Sequence, residues 1–133
     1  MVIKVIFDAN FLFIPFQFKI DIFDELEALI GRFEPIILST TLKELESLSK
    51  KRKVKIRNQA LAALDLTKKC KIIDMEKNLE ESFDDVVLRV AKKWGCPVAT
   101  NDRTLRKRLR EADVAVIFLR QRSRLGIEGY LPS

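Results

Sequence analysis

Histidine is absent from this sequence of 133 residues, and cysteine occurs only twice, at Cys70 and Cys96. Without imidazole there is no serine-histidine or cysteine-histidine nucleophile, so acid-base work falls to carboxylates, lysine or water bound to a metal ion. Two widely spaced cysteines with no histidine also exclude a zinc site of the usual spacing and a disulfide framework. Long apolar runs are missing too. The stretch Phe11-Leu12-Phe13-Ile14-Pro15-Phe16 is far shorter than the roughly 20 residues that span a bilayer. The first residues show no signal-peptide layout, so the expectation is a cytoplasmic protein that makes no use of membranes. Asn and Gln are scarce while Lys, Glu and Ile are abundant, a compositional hint of a thermophilic source.

Hydrophobic residues make up 47% of the chain and charged residues 33%, a globular balance rather than a disordered or fibrous one. The length suits one domain with a single sizeable core, here expected over residues 1–133. No repeat, low-complexity tract or linker interrupts it. The formal charge of +6 favours a polyanionic partner or substrate, though many basic proteins bind no nucleic acid.

Val2 to Phe7 alternates β-branched and aromatic residues around one lysine and then meets Asp8-Ala9-Asn10, which predicts a buried strand ending in a polar turn. From Ile20 to Ile30 the apolar positions Ile22, Phe23, Leu26, Leu29 and Ile30 recur at helical spacing. Asp21 and Asp24 lie in the first turn, and Gly31 follows the end. Pro35 to Leu38 reads as a second buried strand, feeding a helix capped by a hydroxyl of Ser39-Thr40-Thr41 and carrying Leu42, Leu45 and Leu48. A basic run from Lys50 to Lys55 then marks a helix-helix junction before helical spacing resumes over Ile56 to Leu66, with Ala60, Leu61, Ala63 and Leu64. Cys70 to Ile73 is a third strand. Phe83 to Trp94 is a helix with Val86, Val87, Val90, Ala91 and Trp94 inward, stopped by Gly95. Cys96 to Ala99 gives a fourth strand, Arg103 to Glu111 a basic helix, and Val114 to Leu119 the last strand.

Strands alternating with helices predict an α/β fold: a three-layer sandwich whose central, mostly parallel sheet of about five strands is flanked by helices. In such sheets the functional site lies beyond the carboxyl ends of the strands. Asp8 follows the first strand, Glu44 lies early in the helix after the second, and Asp102 follows the fourth. All three therefore fall on one edge. Asp84 and Asp85 open the helix before the fourth strand and join that edge if the strands are parallel throughout.

Carboxylates converging without histidine suit the hard cations Mg²⁺ and Mn²⁺, which prefer oxygen ligands. Two such ions about 3.5–4 Å apart stabilise the attacking and leaving oxygens of a phosphodiester displacement. Taken alone, each acid also has an ordinary role. Asp102 can cap a helix, Asp84 and Asp85 suit a helix first turn, and Glu44 can be a solvated surface group. Spacing does not choose between Glu44 and Glu46, or between Asp84 and Asp85.

Four segments in order resemble the PIN superfamily, and within it the ribosomal-RNA-processing (Fcf/Utp-type) branch. They are Phe7-Asp8-Ala9-Asn10-Phe11-Leu12, Lys43-Glu44-Leu45-Glu46-Ser47-Leu48, Asp84-Asp85-Val86-Val87-Leu88 and Ala99-Thr100-Asn101-Asp102, with a further likeness through Val116 to Arg122. The resemblance implies that Asp8, Glu44, Asp84 and Asp102 are catalytic, metal-binding acids, supported by Asn10, Asp85, Thr100 and Asn101. It also implies one or two Mg²⁺ or Mn²⁺ ions and hydrolysis of RNA at accessible strands.

Three basic groups are candidate RNA contacts: Lys51, Arg52, Lys53 and Lys55; Arg103, Arg106 and Lys107; and Arg120 and Arg122. Any one of these can equally be a solvated face. Arg103 and Arg106 stand out because they follow Asp102 on the helix leaving the site, where cations hold phosphates without reading bases. Phe16 and Phe18 are assigned to core packing ahead of base stacking.

The reading that results is a metal-dependent endoribonuclease acting on ribosomal RNA or its precursor. A second copy of the chain or ribosome-assembly proteins are its expected protein partners. Its rivals are a non-catalytic RNA-binding assembly factor and a toxin ribonuclease paired with an antitoxin.

Overall fold

In the computed structural model, which describes residues 2–132, six strands form one sheet in the order β3-β2-β1-β4-β5-β6. They are β1 (Ile3–Phe7), β2 (Phe33–Leu38), β3 (Lys71–Ile73), β4 (Val98–Ala99), β5 (Val116–Arg120) and β6 (Arg124–Glu128). Every pairing is parallel except β5 with β6, which is antiparallel. The helices are α1 (Ile14–Phe18), α2 (Ile22–Ile30), α3 (Ser39–Leu48), α4 (Val54–Leu66), α5 (Phe83–Trp94) and α6 (Arg103–Glu111), and a 3₁₀ turn spans Ala9–Phe13. None of the helices is long and apolar enough to cross a membrane.

Strands covered on both faces must be apolar at consecutive positions, and Val5-Ile6-Phe7 and Ile36-Ile37-Leu38 are wholly buried. The strand period of two then sends alternate side chains to opposite layers. Val5, Phe7 and Ile37 pack with Ile22, Leu26, Leu45 and Ala63 of α2, α3 and α4. Ile6, Ile36 and Leu38 pack with Val86, Val87, Val90, Leu105 and Leu109 of α5 and α6. The result is the three-layer sandwich that the strand-helix alternation implies.

Local signals set most helix ends as expected. Asp21 caps α2, its Oδ1 accepting from the N–H groups of Phe23 and Asp24 at 3.0 and 3.1 Å. Ser82 and Asp85 form a reciprocal capping box on α5, and Gly95 ends that helix at φ 65°, a conformation that costs glycine little.

Several expectations are corrected. No hydroxyl caps α3, because Leu38 occupies the cap position. Ser39 lies inside the helix, where its Oγ donates to the Met75 carbonyl (3.1 Å) and accepts from the Met75 N–H (2.8 Å), tying the segment after β3 to the sheet edge. The sheet has a sixth strand, β6, that strand patterning missed. Its charged ends and Gly126 hide the alternation, and the connecting Gln121-Arg122-Ser123 carries no Asn-Gly or Asp-Gly turn signal. Trp94 and Phe16, both assigned inward, are 37% and 46% exposed, since each sits at the last or only turn of a helix that has run past its packing layer.

Ser39→Ala orphans the Met75 N–H and carbonyl and should cost about 1–2 kcal/mol in urea unfolding.

Candidate active site

Strand order reverses between β1 and β4: the chain moves outward from β1 to β2 and β3 on one side, and from β4 to β5 on the other. The loops leaving β1 and β4 therefore diverge and open a crevice at the carboxyl edge. Asp8 and Thr100 stand at its base. The Asp8 N–H still donates to the Ala99 carbonyl (3.0 Å) and the Thr100 N–H to the Ile117 carbonyl (2.9 Å), so both residues remain part of the sheet ladder. Phe11 and Leu12 bury themselves immediately after Asp8, which turns the chain down onto the sheet and seals the carboxylate from one side.

The Thr100 hydroxyl joins the two strands. It donates to Asp8 Oδ2 at 2.8 Å and accepts from the Asp102 N–H at 3.1 Å. Asn10 braces the same loop, its Oδ1 accepting from the Asn101 N–H at 3.0 Å and lying 3.2 Å from the Thr100 hydroxyl. Asp102 caps α6 through Oδ1, which accepts from the Leu105 N–H at 3.0 Å. Its capping role is thus established, three residues beyond β4.

Four acids influence one another electrostatically here. Asp8 is almost wholly buried, and its carboxyl is raised from 3.8 to about 7, chiefly by burial. The Thr100 hydrogen bond opposes that rise, whereas Asp84 and Asp102 add to it. Glu44 is raised from 4.5 to about 7 by burial and by the charges of Asp8 and Asp84. Asp84 is raised by burial and by Asp102, with Arg108 pulling the other way. Asp8 and Glu44 each feel the charge of Asp84, Glu44 feels that of Asp8, and Asp84 and Asp8 feel that of Asp102, so these acids influence one another along the carboxyl edge of the sheet.

Spacing alone left two pairs of acids open, and the structure separates them. Glu44 is half-buried with one buried oxygen lacking any partner, while Glu46 is exposed. Asp85 completes the cap with Ser82 and pairs with Arg108 of α6 at 2.7 Å. Its carboxyl is held below the usual range by those hydrogen bonds. Asp85 therefore steers α5, whereas Asp84 faces the other acids. Arg108 is the residue missed by sequence reading: it clamps α5 to α6 beside the acids, and no local pattern reveals a contact between two helices.

The basic candidates divide. Arg103, Arg106 and Arg122 line a cavity of about 300 Å³ that also touches Thr100 and Asn101. Lys107 is exposed one turn along α6, and Arg120 lays its side chain across Gly126 on the hairpin. Lys51, Arg52, Lys53 and Lys55 are exposed at the α3–α4 connection and line no part of that cavity.

A hard divalent cation fits this donor set. The candidate donors Asp8, Glu44, Asp84 and Asp102 are all carboxylates, and a buried oxygen of Glu44 is an acceptor without a donor. Among the described residues no group of three or more such side chains is disposed to hold a metal ion in this structure.

Comparison with known proteins agrees with the geometry. Residues 5–122 match the family described as PIN-like domain. The chain is 36% identical over 130 residues to Ribonuclease VapC4 of Methanocaldococcus jannaschii, covering 95% of this chain and 97% of that protein. It is 26% identical over 122 residues to Ribonuclease VapC9 of Archaeoglobus fulgidus, covering 91% and 86%. Among solved structures, the PIN domain endonuclease Utp24 aligns with a TM-score of 0.78 at 25% identity, covering 96% of this chain and 92% of that one.

Because the folded-state values of Asp8 and Glu44 lie above those of an unfolded chain, the native protein holds extra protons between about pH 4 and pH 7. Without metal, stability should be greatest at the acid end of that window and fall as pH rises through it. Asp8→Asn removes the buried charge yet keeps an acceptor for Thr100. At pH 8 without metal it should raise stability by about 1–3 kcal/mol, a gain that shrinks toward pH 4. Thermal unfolding across that range checks both statements.

Proposed function

The chain belongs to the PIN-like domain family, and from that premise we propose that it is a divalent-metal-dependent endoribonuclease. The observation that supports the proposal is that burial and neighbouring acids raise the carboxyl groups of Asp8, Glu44 and Asp84 beside the strand-order reversal, where Asp102 also adds its charge to Asp8 and Asp84. In this reading those four acids hold Mg²⁺ or Mn²⁺. When bound, such an ion neutralises phosphate charge and lowers the pKa of water.

The chain's own residues set the geometry. Thr100 fixes the orientation of Asp8 through Oδ2 and steadies the start of α6 through the Asp102 N–H. Asn10 holds the Asn101 backbone in place. Arg103, in the first turn after Asp102, is placed to hold a phosphate next to the bond that breaks. In-line hydrolysis there leaves a 3′-hydroxyl and a 5′-phosphate.

The likeness to the endonuclease Utp24 along nearly the whole chain supports ribosomal RNA or its precursor as substrate. The greater identity to Ribonuclease VapC4 supports the second reading, a ribonuclease restrained by a protein antitoxin. Co-purification with a small partner that silences cleavage selects the second; specific cutting of precursor RNA by the free protein selects the first.

Metal-stripped protein incubated with labelled single-stranded RNA should cut only after Mn²⁺ or Mg²⁺ is added. Asp8→Asn should lower the rate by about 10²-fold or more, and an undiminished rate overturns the mechanism. Thr100→Val should weaken Mn²⁺ affinity or activity about 10–100-fold, while Thr100→Ser restores most of it, as read by Mn²⁺ titration of the cleavage rate.

A further inference from the structure

The hairpin joining β5 to β6 is built against its own backbone preferences. In the turn Arg120–Ser123 the Ser123 N–H donates to the Arg120 carbonyl at 3.1 Å. The two central residues, Gln121 and Arg122, have φ of 52° and 60°. The connection between the paired Arg120 and Arg124 is three residues long, and turns with positive φ at both central positions favour Asn and Gly there, because long side chains at positive φ crowd their own backbone. Here both positions carry long polar side chains, and both line the cavity of about 300 Å³ beside Thr100 and Asn101. Strained backbone concentrates at functional sites.

The chemistry of the cavity is one-sided. Its lining includes three arginines and no carboxylate, although it adjoins four acids. The arginines are not equivalent. Arg106 lies with its guanidinium carbon 3.5 Å from the Phe118 ring centroid and pairs with Glu128, so it is held as a rigid plate. Arg103 and Arg122 enter no ion pair among the described residues; those of α6 engage Arg106, Arg108 and Arg110. Phe18, half-buried, supplies an apolar wall. Two uncommitted guanidinium groups beside a planar platform and an aromatic ring are what one nucleotide requires: phosphate on the arginines, base against the flat surfaces.

We infer that this cavity seats the nucleotide flanking the cleaved bond of a single-stranded RNA, and that the turn keeps a strained backbone in order to present Gln121 and Arg122 to it. The inference rests on the endoribonuclease reading for the place of the bond, but the binding it describes needs no cleavage. Acids and arginines then divide the substrate: the scissile phosphate lies over the carboxylates, the neighbouring one over Arg103 and Arg122.

Replacing the turn pair by its conformationally favoured residues, Gln121→Asn with Arg122→Gly, separates strain from function. Binding of a short labelled oligouridylate is followed by fluorescence anisotropy on Asp8→Asn protein, so that no strand is cut, with and without the turn substitutions. The turn variant should melt a few degrees higher. It should bind about tenfold more weakly, and the dependence of log affinity on log salt should flatten by about one phosphate contact. Arg103→Ala should weaken binding similarly without raising the melting temperature. Unchanged affinity, a lower melting temperature in the turn variant, or no RNA binding by the parent protein overturns the inference. Arg122-dependent binding by a wild-type protein that cuts nothing upholds it and refutes the nuclease reading instead.

Discussion

The hydrogen bond from the Thr100 hydroxyl to Asp8 Oδ2 is the contact on which the rest of the site depends. It spans the carboxyl ends of β1 and β4, the two central strands, at the place where strand order reverses. A carboxylate as deeply buried as Asp8 would otherwise lack any side-chain partner, and its desolvation would be offset by little else. The same hydroxyl receives the Asp102 N–H, so one side chain aligns the first and last acids of the group and the start of α6. Its position is fixed because Thr100 and the ends of β1 and β4 that flank the bond are buried.

Around that bond the molecule keeps features that work against its own stability. Asp8, Glu44 and Asp84 each carry carboxyl groups raised by burial and by their neighbours. Glu44 holds a buried oxygen without a partner, and the β5–β6 turn places two long side chains at positive φ. Such costs are borne by the two apolar layers on either side of the sheet, and they cluster where local structural rules yield to function. Arg108 and Asp85 limit the damage by locking the start of α5 to α6, which holds Asp84 beside the other acids despite their repulsion.

Much of this was legible in the residues. The alternation of apolar runs and helical stripes implied the parallel sheet and its two covering layers, and Asp21, Gly31 and Gly95 marked helix ends through local chemistry. Asp8 and Asp102 could be placed on the carboxyl edge because Asp8 directly follows β1 and Asp102 comes three residues after β4. Illegible were the features that depend on a distant partner. The Ser39 hydroxyl reaches Met75, far along the chain, instead of capping its own helix. Trp94 and Phe16 escape the core because burial depends on where the packing layer ends. β6 was invisible because an antiparallel edge strand needs little hydrophobicity, and Gln121-Arg122 is a turn only under strain.

The sequence by itself determined the fold class, the acidic chemistry in the absence of histidine, and the edge on which three of the acids lie. These follow from periodicity and residue type, which act over a few neighbouring positions. Spacing left Glu44 and Glu46, and Asp84 and Asp85, open; tertiary structure decided that Glu44 is half-buried where Glu46 is exposed, and that Asp85 is taken up by Ser82 and Arg108. It also decided that Thr100 links the two central strands, and that Arg103, Arg106 and Arg122 share a cavity while the lysine-rich run from Lys50 to Lys55 does not line it. Each of those outcomes is set by the direction of a side chain relative to elements remote in sequence. Only the packed sheet, with its order reversed between β1 and β4, fixes such directions.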